Sequence, residues 1–142
     1  MSRTDAARAA PVVAIEGLTI RMLRDDALHA VVQGISLDIG AGETVGLVGE
    51  SGSGKTVTAM SLLRLLPAAK TRYDETSRVQ VRGEDVLRAP DERLRALRGA
   101  EVAMVFQEPM TALNPVLRIG RQLTEVIRRH AGLDDAAARE RA

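Results

Sequence analysis

Two stretches near the start of the chain have the mixture of apolar and polar residues that fits a β-strand. They run over residues 12–22 and 29–39, and each has a glycine inside it. We expect a break or bulge near Gly17 and a turn over residues 40–43. A third stretch, over residues 77–83, alternates apolar and polar residues, which is typical of an edge or half-exposed strand.

Two shorter runs are apolar without alternation. They are TVGLV at residues 44–48 and EVAMVF at residues 101–106. Short uninterrupted apolar runs are typical of strands that are buried on both faces of a sheet. We therefore predict two buried strands, one directly before a glycine-rich segment and one directly before Gln107.

Helical spacing of apolar residues predicts a helix that begins near Gly54 and ends at Pro67, which cannot continue it. The apolar stripe of this helix is formed by Val57, Met60, Leu63 and Leu66. A second, short helix is predicted over residues 90–99. Asp91 stands at its start and Gly99 at its end, as helix termini favour.

A third helix is predicted with Asn114 as its N-cap, Pro115 as its first residue and Gly132 at its end. One face of it is apolar and consists of Ile119, Leu123, Val126 and Ile127. A further helix begins at Asp134 and has about two turns before Ala142. Since isolated helices shorter than about 12–15 residues are marginal in water, we expect a chain that stops inside an element, as a truncated domain does.

Composition narrows the possible functions. The 142 residues fit one domain or part of a larger one, and the net charge of +1 gives no general attraction to nucleic acid. With Tyr73 and Phe106 as the only aromatic residues and no cysteine, the chain lacks base-stacking platforms, disulfides and thiolate metal sites. No stretch is long enough to span a membrane. We interpret residues 1–11 as a mobile leader without a signal-peptide core and expect a cytoplasmic protein.

Residues 49–56, GESGSGKT, match the phosphate-binding pattern G-x-x-x-x-G-K-[ST]. The chain has only two lysines, and Lys55 in this segment is one of them. Glycines let the backbone curl so that successive N–H groups point inward and form an anion nest. We expect Lys55 to reach the β- and γ-phosphates of a nucleotide and Thr56 to place its hydroxyl on Mg²⁺.

The pattern occurs in several classes of nucleotide-binding protein. The D-x-x-G and N-K-x-D strings of GTPases do not follow the loop. A small nucleoside or shikimate-type kinase remains an alternative, because such enzymes can be as short as this chain. Such an enzyme usually needs a lid of arginines over the phosphates. We interpret the arginines nearest to that description, Arg93, Arg95 and Arg98, as the solvated face of a helix.

Residues 34–56, GISLDIGAGETVGLVGESGSGKT, and residues 95–115, RALRGAEVAMVFQEPMTALNP, carry a specific resemblance. The second segment resembles the Q-loop region of ATP-binding cassette (ABC) ATPases, and the pair resembles the subfamily that energises dipeptide and oligopeptide import. The likeness runs from about Val13 to the end of the chain. It implies an α/β fold: an incomplete P-loop NTPase core with an N-terminal antiparallel β subdomain. Residues 12–142 would be the N-terminal part of the nucleotide-binding domain.

The resemblance also implies roles for individual residues. ATP and Mg²⁺ would be held by Gly49, Ser51, Gly52, Ser53, Gly54, Lys55 and Thr56. Gln107 would act in catalysis, adding its amide oxygen to the shell of Mg²⁺ or of the attacking water. The loop from Glu108 to Asn114 would lean on a membrane-spanning permease subunit. A second ATPase subunit, identical or not, would complete a head-to-tail pair at the inner face of the cell membrane.

Three parts of the family's machinery are not found in this sequence. They are an LSGGQ-like signature, an apolar strand ending in Asp-Glu, and a switch histidine, since we interpret His130 as a surface residue. The resemblance places all three beyond Ala142. Because phosphoryl transfer needs Mg²⁺ and a positioned nucleophile together, we expect negligible ATP hydrolysis by this chain alone. The expected function is a part of an ATP-binding subunit for peptide import, with a small kinase or an inactive truncated product as alternatives.

Overall fold

A computed structural model describes residues 10–106 and 113–142. The chain forms two compact units, one ending at Leu94 and the other beginning at Arg95. The strands are β1 (Val13–Arg24), β2 (Ala27–Ile39), β3 (Thr71–Tyr73), β4 (Arg78–Val81) and β5 (Glu84–Asp85). The helices are α1 (Lys55–Ser61), α2 (Asp91–Leu97), α3 (Ile119–Ala131) and α4 (Asp135–Arg141).

The first two strands form a long antiparallel hairpin, which confirms both predicted strands. Arg24 pairs with Ala27 across a two-residue turn. The turn residues Asp25 and Asp26 both have positive φ, 47° and 58°, as a type I′ turn requires. The register shifts between Ile15 and Leu18, which confirms the predicted irregularity beside Gly17.

All five strands belong to one antiparallel sheet in the first unit. Its order is β2-β1-β4-β5, and β3 also pairs with β1. The predicted strand at residues 77–83 is confirmed as the half-exposed β4, with Val79 and Val81 buried. It ends earlier than predicted, because Arg82 and Gly83 both have positive φ and turn the chain into β5.

The core of the first unit is formed by strands β1, β2 and β4, by the segments that follow α1 and β5, and by α2. Its buried apolar residues are Ala14, Ile15, Leu18, Ile20, Val32, Leu63, Leu66, Val79, Val81, Val86, Ala89 and Leu94. The predicted strand residues therefore supply most of the core, since alternate side chains of a strand point to the same face.

Helix α1 is shorter than predicted, because the chain closes it before Pro67. Arg64 adopts a left-handed conformation with φ 47°. Its N–H donates to Ser61 O at 3.0 Å, and the N–H of Leu65 donates to Met60 O at 3.0 Å. This pair of bonds is a Schellman motif, which ends a helix. The predicted stripe still points inward, with Leu63 and Leu66 buried and Val57 and Met60 half-buried.

The two predicted buried strands are wrong. Residues 44–48 form no strand, and Val48 is 90% exposed. Residues 101–106 contribute only an isolated bridge between Arg98 and Val102, and Val105 is 92% exposed. A strand buried on both faces needs hydrogen-bonding neighbours on either side, and no described strand pairs with either run.

The second unit contains α3, which begins later than predicted. Asn114 is not its N-cap, since its side chain accepts from the N–H of Val116 at 3.0 Å within a turn. The side-chain amide of Gln122 holds this turn outside the helix, donating to Asn114 O and accepting from Asn114 N–H. The N-cap is Arg118, which has an extended backbone.

Other helix boundaries agree with the sequence. Helix α2 lies inside residues 90–99. Gly132 ends α3, with φ 63° and its N–H donating to Arg128 O at 3.0 Å. Asp134 is the N-cap of α4, where its carboxylate accepts from the N–H of Ala137 at 2.9 Å. On α3, the apolar residues Ile119, Leu123 and Val126 share a face that is exposed.

Candidate functional site

The predicted phosphate-binding segment forms a glycine-rich loop that leads directly into α1. Gly54 is the N-cap of the helix, with φ 92°, and Lys55 is the first helical residue. A Cβ at Gly54 would lie 2.7 Å from the carbonyl oxygen of Val31 and 3.1 Å from Cγ2 of Val32, both in β2. Only glycine therefore fits here, since both the backbone conformation and the contact with β2 exclude a side chain.

The Lys55 ammonium lies inside the curl of the loop. Its Nζ donates to Gly49 O at 2.7 Å, to Glu50 O at 2.7 Å and to the Ser53 hydroxyl at 3.3 Å. An ammonium group has three donors, so the loop accepts all of them. The Lys55 ammonium therefore holds the loop together, and a phosphate bound in the loop would interact with the same group.

A backbone hydrogen bond and the missing side chain of Gly49 also shape the loop. The N–H of Ser53 donates to Glu50 O at 3.2 Å, which closes a tight turn. A Cβ at Gly49 would lie 2.8 Å from the Ser53 hydroxyl oxygen. Gly49 therefore leaves the space in which the Ser53 side chain reaches Lys55.

The loop is open to solutes along most of its length. Residues 49–53 and Thr56 are exposed, and Gly54 and Lys55 are half-buried. Within the described ranges, the Thr56 hydroxyl makes no hydrogen bond, so its lone pairs are available to a cation. Residues 10–106 and 113–142 contain no group of three or more histidines, aspartates or glutamates placed to hold a metal ion.

Tyr73 in β3 and Asp74 directly after it have displaced pKa values, and neither residue belongs to the loop. Burial raises the pKa of the Tyr73 phenol, and the charge of Arg64 partly opposes that shift. The hydrogen bond from the Arg21 guanidinium, with further bonds from Thr76, lowers the pKa of the Asp74 carboxyl.

The structure brings together some of the residues that the sequence predicted. Gly49, Ser53 and Lys55 are in mutual contact, and Ser51, Gly52, Gly54 and Thr56 belong to the same loop. Gln107 and residues 108–112 lie outside the described residues, so their predicted roles stay predictions. Sequence reasoning missed the packing of Val31 and Val32 against Gly54, for which an ordinary strand sequence gives no signal. It also missed that Ser53 binds Lys55.

Comparisons with known proteins place most of the chain in one family. Most of the chain, residues 32–141, matches the protein-family model described as ABC transporter. The chain is 53% identical over 115 residues to a probable D,D-dipeptide transport ATP-binding protein of Escherichia coli K12, covering 81% of this chain and 34% of the relative. It is 44% identical over 139 residues to a putative peptide import ATP-binding protein of Brucella abortus strain 2308, covering 98% and 41%.

A third relative is the uncharacterized ABC transporter ATP-binding protein YejF of Escherichia coli K12. It is 47% identical over 128 residues, which cover 90% of this chain and 24% of the relative. The chain thus spans between 24% and 41% of the length of these relatives. In the part of the chain that the structure describes, no helix has both the length and the apolar character needed to span a bilayer.

Proposed function

Since this chain belongs to the ABC transporter family, we propose that it is the N-terminal part of a nucleotide-binding domain that energises peptide import across the cytoplasmic membrane. The main support is the glycine-rich loop that encloses the Lys55 ammonium directly before α1. The names of the relatives point to peptides as the cargo of those proteins. The family match does not favour the alternative of a small kinase.

The proposed ligand is the triphosphate of ATP. Its phosphates would be held by the loop backbone at Gly49, Ser51, Gly52, Ser53 and Gly54 and by the side chains of Lys55 and Thr56. The positive charge of Lys55 suits a phosphate chain, and the absence of a side chain at Gly49 and Gly54 lets the loop stay closely curled. A P-loop of this sequence, together with strands supplied by the rest of the domain, would form the P-loop NTPase core.

Magnesium would enter with the nucleotide. Mg²⁺ usually binds proteins through one or two groups together with substrate phosphates and water, and the exposed Thr56 hydroxyl is such a group. When bound, the ion neutralises the charge that develops on the phosphates. We propose Gln107 as a second ligand and as the residue that orients the attacking water. The 142 residues alone would bind ATP without sustained hydrolysis, since they contain no Asp-Glu strand or signature segment.

The proposed setting is a peripheral protein at the inner face of the cell membrane. Permease subunits would contact the loop from Glu108 to Asn114, and a second ATPase subunit would complete the nucleotide site. The family to which the chain belongs supports this setting, and the names of its relatives describe transport proteins.

A nucleotide-binding assay tests the proposal, because the chain has a matched control. Lys55→Ala should weaken binding of a fluorescent ATP analogue by about tenfold to a hundredfold, since a charge-assisted hydrogen bond contributes about 1.5–3 kcal/mol. Lys70→Ala, at the other lysine, should leave binding unchanged because Lys70 is exposed and belongs to no part of the loop. Equal binding by the Lys55→Ala variant would contradict the assignment of the loop.

A further inference from the structure

We infer that Ser53 is a positioning residue for Lys55: its hydroxyl holds one N–H of the ammonium and releases it when a phosphate oxygen binds. The inference rests on the proposed function. All three donors of Lys55 are accepted by the loop, from Gly49, Glu50 and Ser53. A phosphate oxygen that is to bind the ammonium must therefore displace one of these acceptors.

The three acceptors are unequal, and Ser53 is the weakest. The two backbone carbonyls lie at 2.7 Å from Nζ, within the ordinary range for a charge-assisted bond. The Ser53 hydroxyl lies at 3.3 Å, beyond the usual range for a strong N–H···O bond. Because the weakest bond costs least to break, the phosphate takes the place of the Ser53 hydroxyl.

The acceptors also differ in freedom of movement. The carbonyl of Glu50 belongs to a closed turn, because the N–H of Ser53 donates to it, and the carbonyl of Gly49 directly precedes that turn. Moving either carbonyl would require the backbone to rearrange. The Ser53 hydroxyl needs only a rotation about one side-chain bond, and staggered alternatives are available to an exposed serine.

Gly49 gives independent support for this arrangement. A Cβ at this position would lie 2.8 Å from the Ser53 hydroxyl oxygen and 4.0 Å from Cδ of Lys55. The missing side chain therefore makes room for the rotamer of Ser53 that reaches Lys55. Gly49 therefore supports the contact between Ser53 and the Lys55 ammonium by leaving space for the Ser53 side chain.

Titration with inorganic tripolyphosphate in the absence of Mg²⁺ measures the release of Lys55 directly. Ser53→Ala removes the competing acceptor, so the variant should bind tripolyphosphate about threefold more tightly than the wild type. Ser53→Thr keeps the hydroxyl and should restore the wild-type affinity, and Thr76→Ala serves as a remote control. Weaker binding by Ser53→Ala would overturn the inference, since it would mean that the hydroxyl contacts the phosphate itself.

Chemical modification of lysine tests the contact without any ligand. The chain has two lysines, so reductive methylation with ¹³C-formaldehyde gives two lysine signals, and exposed Lys70 is an internal reference. Lys55 should react about fivefold more slowly than Lys70 in the wild type, because its donors are engaged, and the difference should narrow in Ser53→Ala. Equal rates in the wild type would overturn the inference.

The two measurements separate the inference from the proposed function. If no variant binds tripolyphosphate, both the proposed function and the release step are contradicted, whatever the methylation rates. If tripolyphosphate binds while Lys55 and Lys70 react at equal rates, only the role of Ser53 is contradicted. Tighter binding by Ser53→Ala together with protection of Lys55 in the wild type supports both.

Discussion

The strands of the antiparallel sheet and the two apolar runs, at residues 44–48 and 101–106, are both rich in apolar residues but lie in opposite environments. Leu18 and Ile20 in β1 are fully buried, whereas Val48 and Val105 are almost fully exposed. Strand β1 pairs with β2, β3 and β4 within the first unit, and all three pairings are antiparallel. Residues 44–48 and 101–106 have no strand beside them among the described residues.

The difference shows what an apolar pattern specifies and what it leaves open. Alternation along a strand specifies which face is buried, provided that neighbouring strands are close in the chain. An uninterrupted apolar run specifies burial on both faces, which only strands and helices from elsewhere can provide. Burial of apolar area contributes about 25 cal/mol per Å², so the sheet has a stabilisation that these runs lack.

Truncating one side chain in each region should give the largest contrast. Leu18→Ala should lower the free energy of unfolding by about 3 kcal/mol, since it leaves a cavity in a fully buried position. Val48→Ala should change it by less than about 0.5 kcal/mol, because the side chain is already in water. Urea titrations of the two variants test the comparison, and equal losses would contradict it.

The loop is attached to the well-packed region through Gly54, and a pair of glycine variants measures that attachment. Gly54→Ala should cost about 2 kcal/mol or more, since a left-handed conformation and a contact of 2.7 Å with Val31 O both oppose the new methyl group. Gly52 has a similar φ of 83°, but no atom lies within 4 Å of the position that a Cβ would take. Gly52→Ala should therefore lower the free energy of unfolding by only about 1 kcal/mol.

Thermal unfolding, followed by a signal of the sheet such as far-ultraviolet circular dichroism, distinguishes the two glycine variants. If Gly52→Ala is as destabilising as Gly54→Ala, the contact with β2 contributes nothing beyond backbone strain. Binding of the fluorescent ATP analogue should fall in Gly54→Ala as well, because a shift at this position moves Lys55, the next residue.

Charge added to an exposed apolar run should improve solubility with little effect on stability. Val105→Lys places an ammonium where the side chain already contacts water, so the free energy of unfolding should change by less than about 0.5 kcal/mol. The concentration at which the protein aggregates should rise, since an apolar segment is interrupted by charge. Val79→Lys, inside the sheet, is the contrasting variant and should prevent folding, because Val79 is fully buried.

The same division between near and distant partners explains how far the sequence alone predicts this molecule. The strands β1 and β2, the end of α3 at Gly132 and the start of α4 at Asp134 depend on neighbours in the chain, and they were predicted correctly, although the hairpin pairing of the two strands was not predicted. The glycine-rich loop before α1 is a contiguous motif and was also predicted from the sequence, whereas its role in binding phosphate remains a proposal.

The errors arise where a side chain acts over a longer distance. Gln122 reaches back to Asn114 and delays the start of α3. The left-handed Arg64 ends α1 early, and its guanidinium donates to Ala89 O at 2.8 Å and to Asp91 at 2.5 Å. Neither contact follows from residue spacing, since each depends on how the chain returns in three dimensions.

The smallest expected effect is a response of the sheet to acid. Arg21 in β1 donates to the Asp74 carboxylate at 3.2 Å, next to the end of β3, and this bond with those from Thr76 lowers the pKa of Asp74. A carboxyl whose pKa is lower in the folded state stabilises the fold above its unfolded pKa, near 3.8, and loses that contribution as the pH falls through the folded value. Asp74→Asn should therefore lose less stability than the wild type when urea titrations at about pH 5 and about pH 3 are compared. Because the Arg21–Asp74 ion pair is half-exposed, the difference between the wild type and Asp74→Asn should become smaller in high salt. A difference that is the same in high salt would show that solvent ions do not screen this ion pair.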